Sequence, residues 1–275
     1  MRILVTGARG MLGTDLCAEL GKRHDVAGFD MAEADLTAPA SVDALAAQRP
    51  QAVVHCAAMT DVDACERDPD AAYAVNGLGT RHVALACQRL DVPLLYVSTD
   101  FVFDGAKREP YYEWDAANPL GHYGRSKLAG EQAVRELLDK FFIVRISWLF
   151  GKHGRNFVAS ILAKARSEGT VRVVDDQTGS PSYAPDISAA MARLIESPYY
   201  GTYHLTNGGS CTWHGLAAEA VRFAGIKAEV APIASADYPT PTRRPAYSVL
   251  KNFCWERTFG APLRPWQDAL REHLA

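Results

Sequence analysis

Long apolar runs and a surplus of charge of one sign are both missing from this 275-residue sequence. No apolar stretch approaches the ~18 residues of a membrane span. Only four residues separate Arg2 from Gly7, too few for the apolar region of a signal peptide. The net charge is −3 and the pI about 6.2, whereas nucleic-acid-binding proteins usually carry a basic patch and a high pI. The sequence therefore predicts a cytoplasmic protein that binds neither a membrane nor nucleic acid.

Paired cysteines are also missing. The sequence has no CxxC motif and no paired cysteine spacing, so neither a zinc site nor a disulfide framework is predicted. The histidines lack the spacing of metal ligands as well. We expect no metal centre and six reduced thiols, namely Cys17, Cys56, Cys65, Cys87, Cys211 and Cys254.

What the sequence does contain is an alternation of short apolar segments with longer segments of helical periodicity. In SKLAGEQAVRELLDK, for example, apolar residues recur three and four apart. Strands that are apolar at every position are typical of a parallel sheet covered on both faces. The sequence thus predicts an α/β fold with a doubly wound parallel sheet; the predicted strands are residues 2–6, 25–29, 52–56, 93–98 and 141–147.

The first strand leads directly into the glycine motif TGARGMLG. Gly7, Gly10 and Gly13 precede a helix, and such glycines allow a tight turn and a close approach of the backbone to a pyrophosphate. The helix N-terminus, with its free N–H groups, favours the phosphate charge. Because the motif follows a strand and opens a helix, we predict a dinucleotide site here rather than a simple tight turn.

Asp30 ends the second strand about 20 residues past the glycines, where an acid commonly binds the adenosine ribose hydroxyls. This favours NADH, but Arg9, Lys22 and Arg23 could offset the repulsion of a 2′-phosphate, so NADPH and NADH both stay open. Asp35 and Leu36 are expected near the adenine, although a turn before the next helix explains Asp35 equally well. The other residues predicted to contact the cofactor are Met11, Leu12, Ala57, Ala58 and Thr60.

The regular alternation of short apolar segments with helical segments ends at about residue 150. A helical segment, DISAAMARLIES, and a strand, GTYHLT, are followed by a proline-rich region from Ala231 to Pro245. We predict two domains: a dinucleotide-binding Rossmann domain formed by residues 1–150 and 186–206, and a smaller, mainly C-terminal substrate-binding domain formed by 151–185 and 207–275.

Tyr123 and Lys127 lie four residues apart at the start of a predicted helix. Side chains at this spacing are neighbours on one helix face. An ammonium beside a phenol favours the phenolate and so lowers the pKa of the tyrosine, which would make it usable as a proton donor near neutral pH. An isolated YxxxK also occurs by accident, as an incidental pair at a helix start.

The glycine motif, STDFVFDG (Ser98 to Gly105) and YGRSK together resemble the extended short-chain dehydrogenase/reductase superfamily, and within it the dTDP-4-dehydrorhamnose reductases. Further similar stretches, including RISWLFG, VVDDQTGSPSYAPDI and PTPTRRPAYSVL, extend the resemblance over nearly the whole chain. The resemblance implies hydride transfer from NADPH or NADH to the C4 ketone of a dTDP-linked 6-deoxyhexulose, which gives dTDP-L-rhamnose.

The resemblance also assigns roles to residues. Tyr123 would protonate the alkoxide, Lys127 would lower the pKa of Tyr123 and hold the nicotinamide ribose, and Thr99 would bind the carbonyl oxygen. Asn76 matches a family asparagine near the active site and cofactor, although a polar role at a helix N-terminus explains it equally well.

Substrate contacts are expected from the same comparison. For Trp148, a core aromatic after a buried strand is an equal alternative. The pair Asp175 and Asp176 fits a solvated turn or one substrate hydrogen bond better than a metal site. The residues expected to bind substrate are Asp100, Phe103, Trp148, Asp176, Gln177 and Arg243, with Arg243 or Arg244 on the pyrophosphate.

The sequence departs from the family pattern at three positions. Phe101 stands where these reductases usually carry tyrosine, and Gly121 and His122 replace asparagine and valine before Tyr123. These departures do not affect Thr99, Tyr123 and Lys127, the triad of residues with implied catalytic roles, but they leave the identity of the sugar open.

Three functions compete. A reductase of a dTDP-sugar is favoured; an epimerase or dehydratase on another nucleotide sugar shares fold and triad, and a catalytically silent dinucleotide-binding subunit would regulate a partner enzyme. Dehydration would need more acid–base groups than the single neighbouring carboxylate, Asp100. The expected partner is a dTDP-sugar, and a homodimer is left open.

Overall fold

The structure is a computed structural model that describes residues 1–275. Its strands are β1 (Arg2–Thr6), β2 (Asp25–Phe29), β3 (Ala52–His55), β4 (Leu94–Thr99), β5 (Phe141–Ile146), β6 (Leu149–Phe150), β7 (Thr170–Val174), β8 (Thr178–Gly179), β9 (Ser182–Tyr183), β10 (Gly201–His204), β11 (Cys211–Thr212) and β12 (Glu229–Ile233).

Eleven α-helices connect these strands, and none of them combines the length and the apolar character that crossing a membrane would take. They are α1 (Met11–Leu20), α2 (Ser41–Ala47), α3 (Val62–Arg67), α4 (Pro69–Ala72), α5 (Thr80–Leu90), α6 (His122–Leu137), α7 (Phe157–Glu168), α8 (Ala184–Ile195), α9 (Trp213–Phe223), α10 (Phe253–Phe259) and α11 (Trp266–Leu274). A π-helical segment (Tyr73–Gly79) joins α4 to α5, and 3₁₀ turns form at Asp100–Val102 and Ser235–Asp237.

Six strands form the central sheet, in the order β10-β5-β4-β3-β1-β2, and all of its pairings are parallel. The predicted doubly wound α/β fold is therefore confirmed. The chain leaves β1 on one side to form β2 and returns on the other side to form β3. In sheets of this kind, ligands bind at the carboxyl ends of the strands beside this reversal point.

The two faces of the sheet carry separate hydrophobic cores because successive strand residues point to opposite faces. In β1, Ile3 and Val5 pack with α1 and α8, whereas Leu4 packs on the other face with the core that contains residues of α2, α5 and α6. The inner strands β1, β3, β4 and β5 are thus buried on both sides, which explains their largely continuous apolar sequences.

A third core lies in the C-terminal half of the chain. Helices α7, α9 and α11 pack around β7 and β12, which form a separate parallel pair. The domain boundaries given above stay a prediction. Trp255 of α10 packs with the core of the central sheet, although its position in the chain falls within the predicted substrate domain.

Helix α6 packs closely against β4 and the π-helical segment at Gly130. A Cβ atom placed on Gly130 would overlap the Tyr96 hydroxyl and lie 2.7 Å from the carbonyl oxygen of Asn76. Only glycine allows this approach. By contrast, a Cβ atom on Gly77 would make ordinary contact, 3.5 Å from the Cβ atom of Ala129.

We predict that Gly130→Ala destabilises the protein by about 1–3 kcal/mol, because the added methyl group overpacks this contact. Gly77→Ala, at the same interface, is the matched control and should be neutral or stabilising by up to ~1 kcal/mol, since alanine favours helical backbone. Urea unfolding of both variants measures the difference. Equal unfolding free energies for the two variants would contradict the packing argument.

Candidate active site

The glycine turn lies at the carboxyl end of β1. Gly7 has φ of +70°, and a Cβ atom there would lie 2.6 Å from the backbone nitrogen of Ala57. Any side chain would therefore be strained and would separate the ends of β1 and β3. Gly10 precedes α1 without a side-chain cap, so the first N–H groups of that helix are free for an anion.

Asp30 lies beside this turn, after β2. Its Oδ2 accepts a hydrogen bond from the backbone N–H of Arg9 at 3.1 Å. Both residues line a hollow of about 570 Å³ next to the turn. The predicted position of Asp30 at the adenosine end of a dinucleotide is consistent with this placement.

Six more of the residues predicted to bind the cofactor lie after β3, at the start of α1 or near α2. Ala57 and Ala58 follow β3 beside the turn, and Met11 and Leu12 open α1, where Leu12 is a core residue that offers only its backbone. Thr60 is exposed, and Leu36 packs partly against the core beneath α2.

The Asp35 carboxylate accepts hydrogen bonds from the backbone and hydroxyl of Thr37, in the turn that the sequence gave as its alternative. The side chain is exposed, and its contact with adenine stays a prediction. The predicted cofactor contact of Asn76 needs correction. Asn76 is fully buried in the π-helical segment, where its amide bonds both backbone groups of Met59 and the hydroxyl of Ser126. Asn76 therefore holds the loop after β3 against α6 and has no surface for a ligand.

Tyr123 lies in the first turn of α6 and faces the end of β4, where Thr99 is buried. Its ring packs edge-on against Phe101, with 5.6 Å between centroids. Burial raises the pKa of Tyr123, and the neighbouring Thr99 hydroxyl opposes this only in part. The phenol is therefore protonated at neutral pH.

Lys127 is buried one turn further along α6. It donates to the Val97 carbonyl at 2.7 Å and lies 4.2 Å from the centroid of the Tyr96 ring. Burial lowers the pKa of Lys127 to about 7, and the carboxylate of Glu131 opposes this shift. Burial dominates the pKa of Tyr123 and Lys127 is not among the groups that shift it, so the expectation that Lys127 lowers this pKa stays a prediction.

Glu131 continues the same helix face and was missed from the sequence. Its fully buried carboxylate forms a bidentate pair with Arg145 of β5, at 2.8 and 2.7 Å, and accepts a 2.6 Å hydrogen bond from the Ser98 hydroxyl. Burial opposes ionisation, but Arg145 and Ser98 outweigh it, so the pKa of Glu131 is lowered. Three successive turns of α6, at Tyr123, Lys127 and Glu131, thus meet the last residues of β4.

The predicted substrate roles of Asp100 and Phe103 need correction as well. The Asp100 carboxylate is buried and accepts hydrogen bonds from Thr99 at 3.1 Å, Ser147 at 3.0 Å and Ser248 at 2.6 Å. Burial raises its pKa to about 6 despite these bonds. Phe103 is fully buried and stacks on Tyr111 with 4.1 Å between centroids. Both side chains support the site from within the core.

A cleft of about 950 Å³ lies between the loops after β4 and the C-terminal half of the chain. It does not include Tyr123 itself but reaches Leu120, three residues before it. Asp176, Gln177 and Arg243 line the cleft as predicted for substrate contacts, although Asp176 and Gln177 also bond Ser235. Trp148 lies behind the cleft wall and stacks on Trp213, which does line it, with 3.6 Å between centroids.

The segment 242–248 forms one side of this cleft. The Thr242 hydroxyl donates to the Val62 carbonyl at 3.1 Å, and the Ser248 hydroxyl binds Asp100. Gly121 lies below this segment, and a Cβ atom there would lie 2.8 Å from the Thr242 methyl group, so a side chain at 121 would require Thr242 to shift. The residue that departs from the family pattern at 121 therefore leaves room for the cleft wall.

His122, the other departure before Tyr123, begins α6. Its backbone N–H donates to the Glu66 carboxylate at 3.0 Å, which supplies the cap that Gly121 lacks. No group of three or more His, Cys, Asp or Glu side chains is arranged to hold a metal ion.

Comparison with known proteins places this geometry in a family. Residues 1–275 match the family model described as the RmlD substrate binding domain. The dTDP-4-dehydrorhamnose reductase of Streptomyces griseus is 44% identical over 98% of this chain and 92% of its own length. The dTDP-4-keto-6-deoxy-D-glucose reductase of Streptomyces niveus is 40% identical over 98% of this chain and 96% of its length.

A solved structure agrees with these relatives. The crystal structure of dTDP-4-dehydrorhamnose reductase from Bacillus anthracis in complex with NADP superimposes with a TM-score of 0.96. It is 39% identical, and the match covers 99% of this chain and 98% of that one.

We predict that Glu131→Gln lowers the free energy of unfolding by about 3–5 kcal/mol, because it leaves the buried Arg145 charge without its counter-ion. Asp43→Asn is the matched control, since it removes one carboxylate from the exposed Asp43–Arg89 pair, worth about 1 kcal/mol or less. Urea unfolding measures both. Similar decreases in the free energy of unfolding for the two variants would contradict a larger contribution from the buried pair.

Proposed function

The chain belongs to the RmlD substrate binding domain family, and from this premise we propose that it is an NAD(P)H-dependent reductase of a dTDP-linked 4-ketosugar. The resemblance stated from the sequence is thereby confirmed. The substrate we assign is dTDP-6-deoxy-L-lyxo-4-hexulose, and the product is dTDP-L-rhamnose. The observation that carries the proposal is the placement of Tyr123, at the start of α6, against Phe101 directly after Thr99 at the end of β4.

The residues present fit a dinucleotide. The backbone approach at Gly7, the uncapped start of α1 and the carboxylate of Asp30 supply what a pyrophosphate and a ribose need. When bound, a reduced nicotinamide supplies the hydride of the reaction. Lys127 is the residue we expect to hold its ribose.

Tyr123 acts as the proton donor. Its phenol is kept neutral by burial, which is the state that a general acid needs before the substrate oxygen becomes an alkoxide. Thr99, beside it, turns its hydroxyl proton from Asp100 to that oxygen when substrate is bound and stabilises the developing negative charge. Both groups are fixed by the packing of α6 on β4, so little reorganisation is required during the reaction.

The cleft suits a nucleoside diphosphate. Arg172 and Arg243 line it without an ion-pair partner in the protein, and an arginine fork matches phosphate oxygens. Trp213 and Phe157 provide an aromatic wall that a pyrimidine base can stack on. We assign the diphosphate to Arg243, with the sugar directed toward Tyr123.

A related sugar is a second candidate substrate, because the similar reductase of S. niveus is named for dTDP-4-keto-6-deoxy-D-glucose. The same residues would reduce either ketone. A homodimer and a cytoplasmic location stay predictions from the sequence.

The first test mixes the purified protein with NADPH or NADH and freshly generated dTDP-6-deoxy-L-lyxo-4-hexulose, and in parallel with dTDP-4-keto-6-deoxy-D-glucose. We expect stoichiometric loss of nicotinamide absorbance and formation of dTDP-L-rhamnose from the first sugar. Turnover of sugar without net oxidation would identify an epimerase, and cofactor binding without turnover would favour the silent subunit.

Tyr123→Phe should lower kcat by about 10²–10⁴-fold, because the ring still packs on Phe101 while the transferable proton is lost. The cofactor dissociation constant, measured by calorimetry, should stay nearly unchanged. A variant that retains most of its kcat would exclude Tyr123 as proton donor.

The pH dependence of kcat/KM should report the ionisation of Lys127. Because burial lowers its pKa to about 7, the ammonium loses its proton as the pH rises through neutrality, and kcat/KM should fall on the alkaline side with a midpoint near that value. Tyr123 has a raised pKa and stays protonated over this range. The rate profile from roughly pH 6 to 10 measures the midpoint; a midpoint at or above the ordinary tyrosine value of about 10 would contradict this assignment.

A further inference from the structure

The adenosine end of the proposed cofactor site carries two carboxylates and one guanidinium. Glu33, in the loop after β2, pairs with the Arg9 guanidinium at 2.8 Å and accepts a 2.6 Å hydrogen bond from the backbone N–H of Asp30. Arg9 in turn donates its own backbone N–H to Asp30. The three residues form a closed cluster in which Glu33 determines where the Arg9 side chain lies.

Arg9 is the only cation that lines the hollow at this end. The sequence offered Lys22 and Arg23 as further cations, but both side chains have other partners. Lys22 pairs with Glu19 on α1, and Arg23 pairs with Glu196 at 2.9 Å. Neither residue lines the hollow, so only Arg9 is placed to meet a phosphate on the ribose.

The charge of the cluster is unfavourable for such a phosphate. Asp30 and Glu33 contribute two negative charges and Arg9 one positive charge, which leaves a net charge of −1. A phosphate monoester adds about −1.5 to −2 at neutral pH. Of the Asp30 carboxylate, only Oδ2 is used within the protein, so Oδ1 can accept a hydrogen bond from an unmodified ribose hydroxyl.

We propose that Glu33 is a specificity residue for the cofactor: by holding the Arg9 guanidinium, it makes the site favour NADH over NADPH. The proposal rests on the proposed dinucleotide site and adds a residue that selects between its two candidate ligands. With Glu33 neutralised, Arg9 is free to turn toward a 2′-phosphate, and one repelling charge is removed.

The test is calorimetric measurement of the dissociation constants of NADH and NADPH, without sugar, for the wild-type protein, Glu33→Gln and the control Glu19→Gln. Wild type should bind NADH more tightly. Glu33→Gln should lower the NADPH-to-NADH ratio of dissociation constants about 3–10-fold, mainly through tighter NADPH binding, and this gain should shrink at ~1 M salt, as expected for exposed charges. Glu19→Gln removes an equivalent exposed carboxylate outside the hollow and should leave the ratio unchanged.

The double variant Arg9→Gln/Glu33→Gln tests whether the effect of Glu33→Gln on NADPH binding depends on Arg9. If the gain passes through Arg9, the double variant should lose most of the improved NADPH binding that Glu33→Gln shows alone. An unchanged ratio in Glu33→Gln, equal weakening of both cofactors, or a preference of the wild-type protein for NADPH would overturn the proposal.

These outcomes are distinct from a failure of the proposed function. The expected binding pattern without sugar reduction would leave the role of Glu33 standing and exclude the reductase. Failure of the wild-type protein to bind either cofactor would overturn both.

Discussion

A buried carboxylate on α6, Glu131, meets a buried guanidinium on β5, Arg145, and the placement of the reacting groups depends on this pair. Removal of two charges from water is compensated only when the geometry is good and the remaining hydrogen-bonding groups are satisfied. Here the bidentate contact and the Ser98 hydroxyl meet that requirement. Because Ser98 lies opposite Arg145 in the sheet, the pair fixes the register of α6 against the end of β4.

The register sets the chemical state of the two groups nearest the reaction. Tyr123 faces Thr99 and keeps its proton at neutral pH. Lys127 donates to the backbone carbonyl of Val97, and burial lowers its pKa to about 7. The phenol and the ammonium are thus neighbours on one helix face without being partners. Their cooperation in catalysis would then come through a substrate or cofactor hydroxyl placed between them, not through direct contact.

The parts of the structure that depend on local patterns could be predicted from the sequence. The six strands of the sheet, including β10 in GTYHLT, and the glycine turn follow from apolar runs and from the glycine motif. The buried network could not be predicted, since Glu131 and Arg145 read as ordinary polar residues of a helix and a strand until the fold brings them together. The misassigned Asp100 shows the same limit, because its burial depends on Ser147 and on Ser248, which is distant in sequence.

The cleft wall is attached at two points, through Thr242 to the carbonyl of Val62, the first residue of α3, and through Ser248 to Asp100, the residue after Thr99. The stretch just before it, around Tyr238, is exposed and lines the outer part of the cleft. Mutations in that outer stretch would leave the attachment of Ser248 to Asp100, and so the surroundings of Thr99, in place. If the proposed function holds, change in this one short segment would alter the sugar nucleotide that binds without altering the reaction chemistry.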